Sequence, residues 1–215
     1  MANFSLMEKI IVNSICSTVG LYDLLGGLEI ENQQALEALS DGGVILSNHV
    51  SNFDPPLVGY SMFTGLRNSN QAHCIAKMGM KDFSIFKNAN HVLPVMRGKD
   101  KKKLILSGVY ENRAVADLAA GIYNAETMSN ACSLINSGDV LLLFPQGTRK
   151  SVSSEVIFKK SAVEPWTNGV SKSLVLTNIG YLGLKTKITH SEPINFTCVD
   201  EILTESQKFY SSFRK

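Results

Sequence analysis

The run Val44-Ile45-Leu46-Ser47-Asn48-His49-Val50-Ser51-Asn52-Phe53-Asp54-Pro55-Pro56-Leu57 changes character three times within a few residues. Gly42-Gly43 punctuates the chain, and Val44 to Leu46 is a short apolar run of the kind that forms a buried strand. Polar residues follow from Ser47 to Asp54, and then an apolar segment runs from Leu57 to Phe63. Asp immediately before Pro is a helix start, because a carboxylate accepts from free N–H groups while proline tolerates the first helical position. The stretch therefore predicts strand, polar turn, helix.

Outward from it the same alternation recurs. His73 to Ala76 and His91 to Val95 read as short strands, and Val140 to Phe144 is an apolar run that halts at Pro145-Gln146-Gly147. Ser173 to Leu176 and Thr186 to Ile188 are weaker strand patterns. Asp100 to Ser137 leans helical with breaks expected at Gly108 and Gly121, and Val199 to Phe213 closes the chain as a helix. Strands alternating with helices predict an α/β domain, a mostly parallel mixed sheet flanked by helices. In such sheets ligands bind where strands end, which singles out the turns after Leu46, Val95 and Phe144.

Met7, Ile10, Ile11, Ile15, Val19 and Tyr22 recur at spacings of three and four, which predicts an amphipathic N-terminal helix over residues 1–25. Such a helix either packs on the domain core or lies in a membrane interface. The segment Ile10 to Leu28 contains Asp23, Asn13 and three glycines, so it is a poor candidate for a membrane span. No pattern of charged, apolar and small residues marks a cleaved signal.

The chain has 215 residues, 44% apolar and 19% charged, which predicts one folded domain over 1–215. A net charge of +2 is too mild for a nucleic-acid binder. Cys16, Cys74, Cys132 and Cys198 form no C-x-x-C pair, so neither a metal site nor a disulfide framework is expected, and the thiols fit a cytoplasmic compartment.

His49 and Asp54 are the first residues with chemistry in them. A turn entering a helix can fold the two together, and an imidazole held by a carboxylate is a general base near neutral pH. By spacing alone the pair reads more simply as a polar turn residue and a helix cap, and context must decide. In Phe144-Pro145-Gln146-Gly147-Thr148-Arg149, a strand delivers a glycine that lets a ligand approach the backbone, beside donors suited to phosphate oxygens.

Taken in order, Asn48-His49 with Asp54, then Pro94-Val95 with Arg97, then Phe144-Pro145 with Gly147-Thr148-Arg149 resemble the ordered blocks of the glycerolipid acyltransferase family, which includes lysophosphatidic acid and glycerol-3-phosphate acyltransferases. Fainter echoes lie at Ala76-Lys77, Phe158 to Ala162 and Ser191 to Ile194, so the resemblance spans residues 28 to 195. The chain departs from the family at His91, where glycine is usual, and at Gln146, where the family has glutamate.

The resemblance implies transfer of a fatty acyl group from acyl-coenzyme A or an acyl carrier protein to a hydroxyl of a lysophospholipid or glycerol phosphate, most simply 1-acylglycerol 3-phosphate. It implies His49 as base and Asp54 as its orienter, with Lys77, Arg97, Gly147, Thr148 and Arg149 holding phosphate. No metal or cofactor is implied. Gln146 belongs to the same substrate turn; it keeps an acceptor carbonyl but loses a negative charge, which predicts altered acceptor preference or a reduced rate. The same departure leaves open a degenerate member that binds lipid without turnover, or a glycerol-3-phosphate acyltransferase. Water-insoluble substrates imply a peripheral place at a membrane surface.

The stretch between Arg97 and Phe144 is longer than in compact members. Asp100 to Asn130 reads as a helix over an acyl groove or as a surface excursion. Lys99, Lys101, Lys102 and Lys103 form a basic run, either solvated or in contact with anionic phosphates.

Overall fold

Every side chain of Gly43–Ser47 is buried, as is every one of Val140–Leu143, because both strands lie at the middle of the sheet with helices on either face. The structure is a computed structural model, and it describes residues 14, 17–66, 72–77, 92–146, 155–166 and 173–213. Its strands are β1 (Leu28–Glu31), β2 (Gly43–Ser47), β3 (Ala72–Lys77), β4 (Val92–Val95), β5 (Val140–Leu143), β6 (Ser173–Leu182) and β7 (Lys185–His190). They form one sheet in the order β1-β7-β6-β2-β5-β3-β4. The strands β2 to β6 run parallel to one another, while β7 is antiparallel to β6 and β1 is parallel to β7.

The helices are α1 (17–24), α2 (Asp54–Gly65), α3 (Gly98–Leu106), α4 (Arg113–Asn136), the short α5 (Lys160–Val163) and α6 (Val199–Ser211). One core lies between the sheet and α4 with α6, where Val44, Leu46, Leu141 and Leu176 meet Ile135 and Ile202. The second lies on the opposite face, where Ile45, Leu142, Val175 and Ile179 meet Val58 and Met62 of α2 and Leu36 and Leu39 of a 3-10 helix at Gln33–Leu39. Alternate strand residues feed the two cores, as the pleat requires. Gly42 takes φ +97, and a Cβ there would stand 2.1 Å from the Ile135 carbonyl oxygen, so only glycine lets the chain enter β2.

Several expectations need correction. No break occurs at Gly121: α4 runs through it, because packing of Ala116, Ala120, Thr127 and Ala131 on both sides outweighs the roughly 1 kcal/mol an interior glycine costs. Gly108, at φ +74, does end the turn after α3. Asp100 to Asn130 is more than a surface excursion, since α4 buries one stripe against the sheet. β1 and the 3-10 helix were not expected, and β6 reaches Leu182 instead of ending at Leu176. The antiparallel β7, returned by a two-residue turn with Gly183 at φ +65, keeps β6 paired past its apolar run.

Of the expected N-terminal helix, Met7, Ile10, Ile11 and Ile15 lie outside the described residues. Residues 17–24 are helical, and Val19 packs with Leu28, Leu57 and Ile188. No helix among the described residues is long and apolar enough to cross a membrane.

Candidate active site

β2, β5, β3 and β4 all point their carboxyl ends at one edge of the sheet. Where β2 stops, Asn48 substitutes for a strand. Its amide Nδ2 donates to the Ile179 carbonyl at 2.9 Å and its Oδ1 accepts from the Ile179 N–H at 2.7 Å. That amide pairing satisfies β6 after its backbone neighbour has turned away, and so carries β6 on to Tyr181.

The turn that leaves Asn48 is wound around the Asp54 carboxylate. Oδ2 accepts from the backbone N–H of Val50 at 2.6 Å and of Ser51 at 2.7 Å, and lies 2.9 Å from His49 Nδ1. Oδ1 accepts from the Tyr181 hydroxyl at 2.6 Å. Asp54 thus caps the turn before α2 and not the helix itself, whose N-cap is Phe53. Burial, reinforced by the neighbouring Asp54 carboxylate, holds the Tyr181 phenol well above its usual range, so it stays a donor.

The Asp54 side chain is 0% exposed and that of His49 is 21% exposed. An imidazole that donates from Nδ1 to a carboxylate keeps its lone pair on Nε2. Among the described residues nothing occupies that nitrogen. The ring also rests against Phe144, with centroids 4.7 Å apart and planes tilted by 37°. Gln146, buried, accepts the His49 backbone N–H on Oε1 at 2.6 Å. A glutamate would accept the same bond, so the amide preserves the grip of this turn on His49.

Beneath the site, the Tyr210 hydroxyl donates to the Leu46 and Thr177 carbonyls, tying α6 to both strands that flank the turn. Nearby His190 bridges Ser61 at 2.7 Å through Nε2 and Thr177 at 2.8 Å through Nδ1. Burial pushes its imidazole down to about 4, which keeps it neutral. Burial also pushes the Cys74 thiol up to about 12, removing it as a nucleophile.

Lys77 ends β3, level with Val95 of β4, and Arg97 follows β4. By strand spacing, Lys77 stands about 10 Å and Arg97 about 14 Å along the edge from the His49 strand. Arg97 Nε and its backbone N–H both donate to Asp100 Oδ2, closing the first turn of α3. The backbone of Met96, one residue earlier, is held by the Asn124 amide at 2.8 and 3.0 Å. The structure thus brings together His49, Asp54 and Gln146, and sets Lys77 and Arg97 on the same edge. Gly147, Thr148 and Arg149 lie outside the described residues.

The model of the Acyltransferase family matches residues 27–167, more than half of the chain. This chain belongs to the acyltransferase family. Its fold is that of the 1-acyl-sn-glycerophosphate (LPA) acyltransferase PlsC from Thermotoga maritima: the TM-score is 0.53 at 15% identity, over 94% of this chain and 81% of that one. No curated protein sequence matches. In this acyltransferase, sequence reasoning missed Tyr181, Phe144 as a ring partner, and the bracing amides of Asn48 and Asn124. Phe144 and Asn48 stood inside recognised blocks; nothing local to Tyr181 or Asn124 marks them.

Proposed function

We propose that this acyltransferase moves a fatty acyl group from an acyl thioester, carried on coenzyme A or an acyl carrier protein, to the hydroxyl of 1-acylglycerol 3-phosphate. The observation that carries the reading is the buried Asp54 carboxylate holding His49 by Nδ1 at 2.9 Å while the ring remains partly exposed. His49 Nε2 takes the proton of the acceptor hydroxyl, and the oxygen attacks the thioester carbonyl. The tetrahedral centre collapses with cleavage of the C–S bond, and the proton leaves with the thiolate as a thiol. Asp54 fixes the ring and stabilises the imidazolium as it forms.

Lys77, Arg97 and the turn Gly147-Thr148-Arg149 hold the acceptor phosphate, for which a guanidinium offers paired donors. Asp100 uses one side-chain donor of Arg97, leaving the terminal nitrogens. Gln146 is assigned to position His49, which supports retained catalysis without the family glutamate. The amphipathic N-terminal segment and the water-insoluble acceptor support a peripheral place on a membrane in the cytoplasm.

Thiol release and lipid product, measured with acyl thioester plus lysophosphatidate, glycerol 3-phosphate or another lysolipid, test the reading. Release should require an acceptor and be fastest with lysophosphatidate. Preference for glycerol 3-phosphate would reassign the acceptor. Release with water alone, or lipid binding without turnover, would overturn the proposal.

A further inference from the structure

Several hydrogen-bond donors converge on the turn that carries His49, and most are already spent. The backbone N–H groups of Val50 and Ser51 and the Tyr181 hydroxyl donate to Asp54, and the N–H of His49 donates to Gln146 Oε1. The side-chain amide and backbone N–H of Asn48 are taken by the carbonyls of Ile179 and Thr177. All of these hold the turn itself together. Attack on a thioester carbonyl moves an electron pair onto its oxygen, and that charge calls for a donor not engaged elsewhere.

The Gln146 amide nitrogen is such a donor. A backbone N–H can only donate, so the end of the amide facing His49 is its oxygen, and Nε2 with its two N–H groups faces elsewhere. The residue is only 4% exposed, yet Nε2 has no hydrogen-bond partner among the described residues. Nor does it count among the unpartnered polar atoms sealed from solvent, so it borders accessible space. An unpaired donor on a buried side chain is a cost that a bound substrate atom removes.

Its place and its support both suit the reaction. The two ends of an amide are about 2.2 Å apart, so Nε2 lies within about 5 Å of the His49 backbone nitrogen. One substrate can therefore meet both this nitrogen and the imidazole of that residue. Pro145, just before it, has a ring-fixed φ and a carbonyl that accepts the Lys159 N–H at 3.2 Å, while Phe144 rests on the imidazole. A donor held in this way needs no rearrangement as charge appears.

We propose that Gln146 Nε2 donates a hydrogen bond to the thioester oxygen as it becomes an oxyanion, which makes Gln146 a catalytic residue of this chain. The proposal rests on the acyl-transfer reading. The acceptor oxygen bonds to the carbonyl carbon, and the C=O π pair moves onto oxygen, where Nε2–H holds it without giving up its proton. When that pair returns, the C–S bond breaks and the thiolate takes the proton from His49. A glutamate here would still accept the His49 N–H, but it would meet the oxyanion with a like charge in place of a donor. The departure at Gln146 adds a catalytic group.

Q146E separates the two ends of the amide, because it keeps the acceptor for His49 and removes the donor. Kinetics with acyl thioester and lysophosphatidate are read on the alkaline plateau of the pH profile, where the imidazole is unprotonated in every variant. Q146E should lower kcat about 10²- to 10³-fold there, with KM for either substrate within a few fold and the melting temperature near that of the wild type. Q146M removes both ends without adding charge and should lose kcat at least as far; it also decides the matter should the carboxylate disturb the fold. Retained kcat in Q146E, which carries the family residue, would overturn the role. So would a loss seen only as a higher KM for the phosphate-bearing acceptor, or a loss in Q146E that Q146M does not share. Wild-type protein inactive on every acceptor would end the acyl-transfer reading and this role with it, whereas Q146E at full rate ends the role alone.

Discussion

Two histidine–aspartate pairs stand at opposite ends of the same sheet, and their burial is reversed. At the carboxyl edge His49 Nδ1 and Asp54 Oδ2 are 2.9 Å apart, with the carboxylate fully buried and the imidazole partly exposed. At the other edge His73 Nε2 and Asp139 Oδ2 are 3.0 Å apart, with the imidazole 3% and the carboxylate 19% exposed. The distances hardly differ, so proximity does not separate them. A base must meet its substrate, and only the first pair keeps the ring at the surface and the orienting charge in a medium where water does not weaken it. The second pair pins the start of β3 to the residue before β5, which is a structural task.

The largest effect expected from that contrast is on turnover. His49→Ala should lower acyl transfer by about 10²- to 10⁴-fold, while His73→Ala leaves it within a few fold but lowers unfolding free energy by roughly 1–3 kcal/mol. Thiol-release kinetics alongside urea unfolding read both, and equal losses of turnover in the two variants would erase the distinction.

His190 sharpens the comparison, as an imidazole with hydroxyl partners and no carboxylate. Its group titrates at about 4 in the fold against 6.5 when unfolded, so between those values the unfolded chain binds the extra proton. Its contribution is therefore complete above pH 6.5 and declines as pH falls toward 4, by roughly 3 kcal/mol at most. Urea unfolding at pH 7 and pH 5 should show the decline, and His190→Asn should flatten it.

The smallest effect expected is that of Tyr181→Phe, which removes one of the donors on Asp54 and leaves the ring. A bond to a charged acceptor contributes about 1.5 kcal/mol, so kcat should fall about tenfold with KM nearly constant. A change confined to KM would mean that Tyr181 touches substrate and does not position Asp54.

Much of the fold was legible because β2 and β5 lie buried on both faces, and such strands must be unbroken apolar runs. β1 escaped notice because an edge strand of four residues, Leu28–Glu31, pairs on one side only and carries two glutamates. β6 was cut short because Thr177, Asn178 and Gly180 interrupt its apolar pattern, and its continuation depends on β7 and on the Asn48 side chain. Gly121 misled for the opposite reason: tertiary packing of α4 overrides a local propensity.

The sequence by itself determined the alternation of strands and helices, the strand-turn-helix at Val44 to Phe63, and the order of blocks that carries the resemblance. Those depend on neighbours within a few residues, where periodicity and backbone stereochemistry act. Only the tertiary structure decided which groups surround the pair: Tyr181 meets Asp54 across 127 residues, and Gln146 meets the His49 backbone across 97. Hydrogen bonds of that separation follow from strand order and register, which no local pattern of side chains encodes.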